Sequence, residues 1–213
     1  MTILQTKQLS LNEVHRLLKI QKHSPAASFS DLLSLEPLSE FEQQELAQIR
    51  EDFENYLYSE KVSEGLVKAL TTFPLMRLAG FYRSPIKISL EEDIAEITIE
   101  DEDTKITGRL DILAVNREKA MSSTDVSFWV LVIEAKNSGF TVYMGLPQLL
   151  VYAFKNLSGQ ESEWGLTTNG MHYQFVYMQQ GNPPSYQLMP ELNLMNPEAA
   201  MQLLQVLKAI CQL

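Results

Sequence analysis

Several features that define other protein classes are missing or scarce in this chain of 213 residues. Cysteine occurs once, at Cys211, which excludes an internal disulfide and favours a reducing cytoplasm. No apolar stretch approaches the about 18 residues that a membrane-spanning helix needs, and the first residues lack the basic segment and apolar core of a signal peptide. We therefore expect a cytoplasmic protein with no membrane partner.

Positive charge is also scarce. The chain has 17 Lys and Arg residues against 27 Asp and Glu, a formal net charge of −10. Proteins that coat nucleic acid without regard to sequence usually carry a basic face, so this balance argues against that class. It leaves room for a local basic cleft, and an acidic protein that acts on DNA is expected to need a protein partner that supplies targeting.

Two common enzyme motifs are absent as well. His15, His23 and His172 do not have the spacing of metal ligands, which argues against a histidine-based metal site. No Gly-x-x-x-x-Gly-Lys-Ser/Thr loop occurs, which excludes an ATP-driven motor of that type.

The patterns that are present predict an α/β protein. Capping boxes, helical spacing of apolar residues and first-turn prolines predict helices at 10–20, from 39 to about 57, at about 62–73 before an interruption at Pro74, at 147–157 and from 196 onwards. Apolar alternation or continuity predicts strands at 86–100, as one strand or a hairpin, and at 105–115, 128–133 and 164–178. We expect a mixed central β-sheet flanked by helices, with a polar loop at 116–127.

Charged residues interrupt two of the predicted strands. The run 128–133 has no polar residue and is typical of a strand buried on both faces, yet Glu134-Ala135-Lys136 follows it directly. Alternate side chains on a strand share a face, so Glu134 and Lys136 point the same way. Asp111 interrupts the preceding strand. Buried charges are costly unless paired, solvated or bound to metal, so the pattern predicts either a solvated ion pair or a divalent-metal site beside a lysine.

The residue types suit metal-dependent phosphate chemistry. Magnesium prefers oxygen ligands and keeps several waters, so two carboxylates, a backbone carbonyl and a phosphate can share one ion. A neighbouring lysine can orient the attacking water or stabilise charge on the phosphate. Gln148 and Tyr152 lie four apart on one helix face, where they could hold Lys136 or a phosphate; Tyr152 is equally acceptable as a core residue with a satisfied hydroxyl.

These motifs resemble a known family. In chain order, Gly108-Arg-Leu-Asp111, Val132-Ile-Glu134-Ala-Lys136 and Gln148-x-x-x-Tyr152 are similar to the motifs of the PD-(D/E)XK nuclease superfamily. The likeness is to restriction-endonuclease-like, RecB-type members related to the N-terminal nuclease domain of type I restriction motor subunits. The segment from Ser63-Glu64 to Phe81 resembles the opening helix of that family, and 166–175 resembles its "LTNG" strand. The resemblance spans about residues 62–180 and implies a restriction-endonuclease-like fold.

The resemblance also implies roles for individual residues. Asp111 and Glu134, with Ala135 through its backbone carbonyl and Glu64 as an outer acid, would hold Mg²⁺ or Mn²⁺. Lys136 would be the catalytic lysine, assisted by Gln148. The candidates for nucleic-acid contact are Lys68, Arg109, Gln148, Tyr152 and Lys155. Leu110 departs from the signature proline, and Lys68 takes the place of a basic residue that usually lies nearer the acid.

The expected organisation has three parts: an N-terminal helical extension at 1–61, a nuclease core at 62–180, and a C-terminal loop and helix at 181–213 that packs on the core or on a partner. Two functions stay open. One is a metal-dependent DNA endonuclease of a restriction or repair system; the other is a non-catalytic DNA- or protein-binding subunit with the same fold. A homodimer would let two sites act on opposite strands, with the helix from Pro197 as its expected interface.

Overall fold

The computed structural model describes residues 2–23, 28–59, 61–93, 96–99, 103–119, 128–157 and 159–213, so most of the expected polar loop at 116–127 lies outside the described residues. The helices are α1 (Leu11–Leu18), α2 (Phe29–Leu32), α3 (Glu40–Ser59), α4 (Glu64–Val67), α5 (Phe73–Ala79), α6 (Leu146–Asn156) and α7 (Pro197–Cys211). Among the described residues, no helix is long and apolar enough to cross a membrane.

The strands form two sheets. In chain order they are β1 (Thr2–Gln5), β2 (Gln21–Lys22), β3 (Ile86–Leu90), β4 (Ile97–Ile99), β5 (Thr104–Thr107), β6 (Ile112–Asn116), β7 (Phe128–Ala135), β8 (Ser162–Thr168), β9 (His172–Gln179), β10 (Ser185–Leu188) and β11 (Leu192–Asn193). The large sheet has the order β2-β10-β9-β8-β7-β6-β3, with β11 also paired to β9; the small sheet has the order β1-β5-β4. Parallel pairing of β7 with β8, among antiparallel neighbours, makes the large sheet mixed.

Helices cover both faces of the large sheet, as the apolar run in β7 requires. Side chains of β6 alternate between the two layers: Ile112 and Ala114 face the cluster that includes α3, α5 and α7, whereas Leu113 and Val115 face the cluster that includes α1 and α6. The expected α/β fold, a mixed central sheet flanked by helices, is confirmed.

Two strand predictions differ from the structure. The expected strand 105–115 is divided, because β5 lies in the small sheet and β6 in the large one. Between them Leu110 donates its amide to the Glu92 carbonyl at 3.0 Å, and Asp111 lies just before β6 instead of inside a strand. A hairpin across 86–100 is wrong as well, since β3 pairs with β6 and β4 with β5. Ile94, part of that alternation, lies outside the described residues.

The helix expected at 62–73 continues past Pro74. A wide π-helical turn at Lys68–Thr72 joins α4 to α5, and the Phe73 amide reaches back five residues to the Lys68 carbonyl. Pro74 then falls in the first turn of α5, where its missing N–H is tolerated. Gly80, with φ of 105°, ends the helix.

The two ends of the chain are built into the fold. β1 pairs with β5, and β2 pairs with β10, so strands as well as helices occur in the N-terminal segment. Helix α7 begins at the N-cap Asn196 and buries one side, including Leu203, Leu207 and Ile210, in the core. The C-terminal helix therefore packs on the core of its own chain.

Candidate functional site

Asp111 and Glu134 lie opposite each other at the ends of two neighbouring strands. The antiparallel register of β6 and β7 pairs Ile112 with Ile133, which sets the residues just beyond them side by side. The Asp111 Oδ2 atom accepts a hydrogen bond from the Ala135 amide at 2.8 Å. The carboxylate of Asp111 is thus fixed against the last peptide of β7, next to Glu134.

Glu134 is the most buried charge of the site, with 2% of its side chain exposed. Its Oε1 atom forms an ion pair with Lys136, and its Oε2 atom has no hydrogen-bond partner. Burial raises the pKa of Glu134 to about 7, and repulsion by Asp111 adds to the shift while Lys136 opposes it. Glu134 therefore exchanges a proton near neutral pH and keeps one free acceptor for a cation or a donor.

Lys68 bridges the two remaining carboxylates. Its Nζ atom lies 3.0 Å from Glu64 Oε1 and 3.0 Å from Asp111 Oδ1. Burial alone would lower the pKa of Lys68, but attraction to Asp111 and Glu64 outweighs it and raises that pKa. Lys68 was expected to contact nucleic acid, and its bridge between two acids was not predicted. The four-residue spacing of Glu64 and Lys68 indicates the ion pair between these two residues only.

A chain of hydrogen bonds runs from Lys136 into the protein. Lys136 Nζ donates to Gln148 Oε1 at 3.0 Å, Gln148 Nε2 donates to the Tyr152 hydroxyl at 3.2 Å, and that hydroxyl donates to the Arg109 carbonyl at 2.8 Å. The Thr6 hydroxyl also contacts it at 3.1 Å. Burial raises the pKa of Tyr152 to about 12, so it stays protonated. Thr6 was not predicted, because nothing local in the sequence links it to this helix.

Close packing of the loop before α6 holds Glu134 in place. A Cβ added at Gly145 would lie 3.1 Å from Glu134 Cγ and 3.2 Å from Thr167 Cγ2. Only glycine leaves the backbone this close to the carboxylate without pushing it. The start of α6 therefore packs directly beside the acid of β7.

The other residues predicted to contact nucleic acid are held by contacts within the protein. Arg109 is exposed and forms an ion pair with Glu91 at 2.9 Å. Lys155 is exposed and donates to the Glu96 carbonyl at 3.4 Å. Tyr152 is fully buried, so direct contact with a phosphate would require the loss of its present hydrogen bonds. The structure brings Glu64, Asp111, Glu134, Lys136, Lys68 and Gln148 together and leaves Arg109 and Lys155 at the periphery.

The donor set fits a hard divalent cation in its chemistry. Glu64, Asp111 and Glu134 supply oxygen ligands only, and the free Oε2 of Glu134 is a buried acceptor that lacks a partner. Across the described ranges, no group of three or more His, Cys, Asp or Glu side chains lies close enough to hold a metal ion. In this arrangement the ammonium of Lys68 provides the positive charge between Glu64 and Asp111.

A cavity of about 930 Å³ lies elsewhere, between α3, α5 and α7. Its lining carries both signs of charge, from Arg77, Arg83, Glu42 and Glu45. It includes none of the six residues that the structure brings together, Glu64, Lys68, Asp111, Glu134, Lys136 and Gln148, which we call the carboxylate cluster. This cavity lacks the convergent buried acid and lysine that give the cluster its chemistry.

Comparisons with known proteins show distant similarity to solved structures. No family model matches the chain, and no curated protein matches it. A solved fragment of a putative HsdR subunit of a type I restriction enzyme from Vibrio vulnificus is similar over 67% of this chain, with 18% identity and a TM-score of 0.39. The match covers 25% of that protein. A similarity of this extent assigns no activity to the chain.

Proposed function

We propose that this chain is a divalent-metal-dependent nuclease that hydrolyses phosphodiester bonds of DNA in a restriction or repair system. The observation that supports it best is the convergence of Asp111, Glu134 and Lys136 at the ends of two paired strands, with one free buried oxygen on Glu134. The resemblance of these residues to PD-(D/E)XK motifs gives the same assignment from the sequence.

In this proposal Asp111 and Glu134, with the carbonyl of Ala135, hold Mg²⁺ or Mn²⁺, and Glu64 acts as the outer acid. When bound, such an ion lowers the pKa of a coordinated water and stabilises charge on the phosphate. Lys68 would share Asp111 with this ion or give way to it, because its ammonium now bonds that carboxylate at 3.0 Å.

The remaining polar residues position Lys136. Gln148 and Glu134 both bond its ammonium, which limits the directions in which the side chain can point. From there Lys136 donates a hydrogen bond to the scissile phosphate and stabilises the charge that develops on it. The Tyr152 hydroxyl already bonds Gln148 and the Arg109 carbonyl, so it orients Gln148 and does not touch the substrate.

The test is cleavage of plasmid and single-stranded DNA with Mg²⁺ or Mn²⁺. Lys136→Ala should abolish cleavage in a chain that still folds, since its loss at a strand end opens no large core cavity. Its melting temperature should fall, because the buried Glu134 loses its ion-pair partner. Gln148→Ala should lower the cleavage rate by less, because Gln148 positions a charged group and carries no charge itself. Lys208→Ala is the matched control, because Lys208 is similarly sheltered and forms an ion pair with Glu42 away from the candidate site. Wild-type cleavage by Lys136→Ala would remove this lysine from the mechanism.

A second function has one observation in its favour. Glu64, Asp111 and Glu134 each have a lysine partner, so the cluster is largely neutralised within the chain. A non-catalytic DNA- or protein-binding subunit would use such a cluster as a structural ion-pair network. No cleavage with either metal, together with a melting temperature that Mg²⁺ does not change, would favour this function over the nuclease.

A further inference from the structure

The loop between Lys136 and Gln148 exposes an unusual amount of apolar surface beside the candidate site. Within five residues, Phe140, Tyr143 and Met144 leave 38, 53 and 54% of their areas exposed. Burial of such side chains usually stabilises a fold, so three exposed together indicate a binding surface. We call Phe140 and Tyr143, with Lys61 beside them, the aromatic platform.

Local contacts hold the platform in shape. The Phe140 amide donates to the Asn137 carbonyl at 3.1 Å, and Asn169 Nδ2 donates to the Phe140 carbonyl at 2.8 Å. Val142, between the exposed residues, is 2% exposed and anchors the loop in the interior. Because the loop is already ordered, little conformational entropy is lost when a ligand binds to it.

Two segments of the chain connect the platform to the carboxylate cluster. Gly145, one residue after Met144, packs against Glu134. The segment that carries Lys61 is tied to the loop by two bonds, from the Val62 amide to Ser138 Oγ at 2.9 Å and from the Ser138 amide to the Val62 carbonyl at 3.1 Å. The exposed Tyr143 is therefore only two residues from the glycine that packs against Glu134.

The chemistry of the platform matches an unpaired nucleotide. Lys61 Nζ lies over one face of the Phe140 ring, 5.1 Å from its centre, and Tyr143 beyond it is 53% exposed. Aromatic rings stack on the faces of bases that are not already stacked in a duplex, while a nearby lysine contacts the phosphate. Stacking also depends little on positive charge, which suits a chain of net charge −10.

We infer that the aromatic platform binds unpaired nucleotides by stacking and so directs the site to single-stranded nucleic acid. The inference rests on the proposed function for the identity of the polymer. It makes Phe140 and Tyr143 specificity residues of the same site, while Glu134 and Lys136 act on the phosphate.

The experiment measures binding in EDTA, where cleavage cannot occur. Fluorescein-labelled oligothymidine is compared with the same strand hybridised to oligoadenine, by fluorescence anisotropy. Wild type should prefer the single strand, and Phe140→Ala and Tyr143→Ala should each weaken that binding about five- to a hundredfold, whereas duplex binding stays unchanged. Phe140→Tyr, which keeps a ring, should retain the affinity.

Tyr82→Ala is the matched control, because Tyr82 is 56% exposed but lies beyond the far end of the helix that begins at Glu64. It should bind like wild type, and all variants should melt at the wild-type temperature. Equal affinity for single strand and duplex, wild-type binding by both ring-deleted variants, or no binding of the single strand would overturn the inference; the last result would assign the platform to a protein partner.

Failure of this inference and failure of the proposed function are distinguishable. Cleavage that depends on Lys136 but not on Phe140 or Tyr143 would overturn the platform and keep the nuclease. Ring-dependent binding of single strands without any metal-dependent cleavage would support the platform and overturn the nuclease.

Discussion

The carboxyl group of Glu134 links the site to the stability of the fold. Its pKa is about 7 in the folded chain, against 4.5 for an ordinary glutamate, so the folded state binds more protons than the unfolded chain between these values. The contribution of this group to the free energy of unfolding therefore falls as pH rises through that window. The fall is at most about 1.4 kcal/mol for each pH unit, and the contribution is constant above and below.

Glu134→Gln removes that titration. Relative to wild type, the variant should gain stability steadily between about pH 5 and about pH 7, whatever offset the lost ion pair to Lys136 produces. Urea unfolding of both proteins across this range measures the difference. A difference that does not change with pH would show that burial does not raise this pKa.

Lys68 makes a second prediction at the scale of single residues. Lys68→Ala leaves Glu64 and Asp111 without their shared cation, so in EDTA it should lower the free energy of unfolding by about 1–3 kcal/mol. If Mg²⁺ binds where Lys68 now lies, the rise in melting temperature on adding Mg²⁺ should be larger in the variant than in wild type.

Lys208→Ala is the control for this comparison. Lys208 forms an equally sheltered ion pair with Glu42, away from the carboxylate cluster. Its loss should destabilise the fold without changing the response to Mg²⁺. Equal Mg²⁺ responses in all three proteins would contradict competition between Lys68 and a metal.

Strand periodicity was enough to predict that Glu134 and Lys136 share a side, and their ion pair agrees with it. It could not predict that Thr6 reaches Tyr152, since 146 residues separate them and only tertiary packing joins them. Nor could it show that Lys68 turns toward Asp111, because that direction depends on the wide turn after α4.

At the scale of elements, two glycines near the site predict opposite effects. Gly145→Ala should destabilise the fold by about 1–2 kcal/mol and slow cleavage, because the new Cβ presses on Glu134 and on Thr167, both held in central strands. Gly65→Ala, in α4 with nothing within 4 Å of the new Cβ, should stabilise the fold by about 0.5–1 kcal/mol. Thermal unfolding and initial cleavage rates measure both, and a stabilising Gly145→Ala would contradict the close packing.

Local signals predicted most helices and the strands of the central sheet. Ser10, Ser39 and Asn196 begin helices as their capping patterns indicate. Pro74 was misinterpreted because a proline ends a regular helix, whereas here the preceding turn widens to accommodate it. The pairing of β1 and β2 was missed because their partners lie far along the chain.

At the scale of the whole molecule, charge limits how the protein can hold DNA. Several cations are already engaged by acids, among them Lys68 within the site and Lys105 and Arg109 outside it. The slope of log affinity against log salt should therefore correspond to about one to three released ions. Titration of labelled DNA at increasing salt measures it, and a slope typical of six or more contacts would contradict this account.

A dimer formed through α7 would have to use the outer side of that helix. Helix α7 buries Ala200, Leu203 and Leu207 within its own chain, so it cannot offer that side to a second copy without unfolding. Homodimerisation stays a prediction that light scattering tests, but removal of 197–213 should unfold the chain and not merely separate two subunits.

The wide turn at Lys68–Thr72 has a consequence for how this chain tolerates insertions and deletions. Removing one residue there would make the helix regular and rotate everything before it by about 100° relative to α5. Glu64 and Lys68 would move away from Asp111, whereas the buried side chains of α5 would keep their positions. A single-codon deletion at this turn should thus lower both cleavage and stability, because the same rotation turns the fully buried Val67 away from the core.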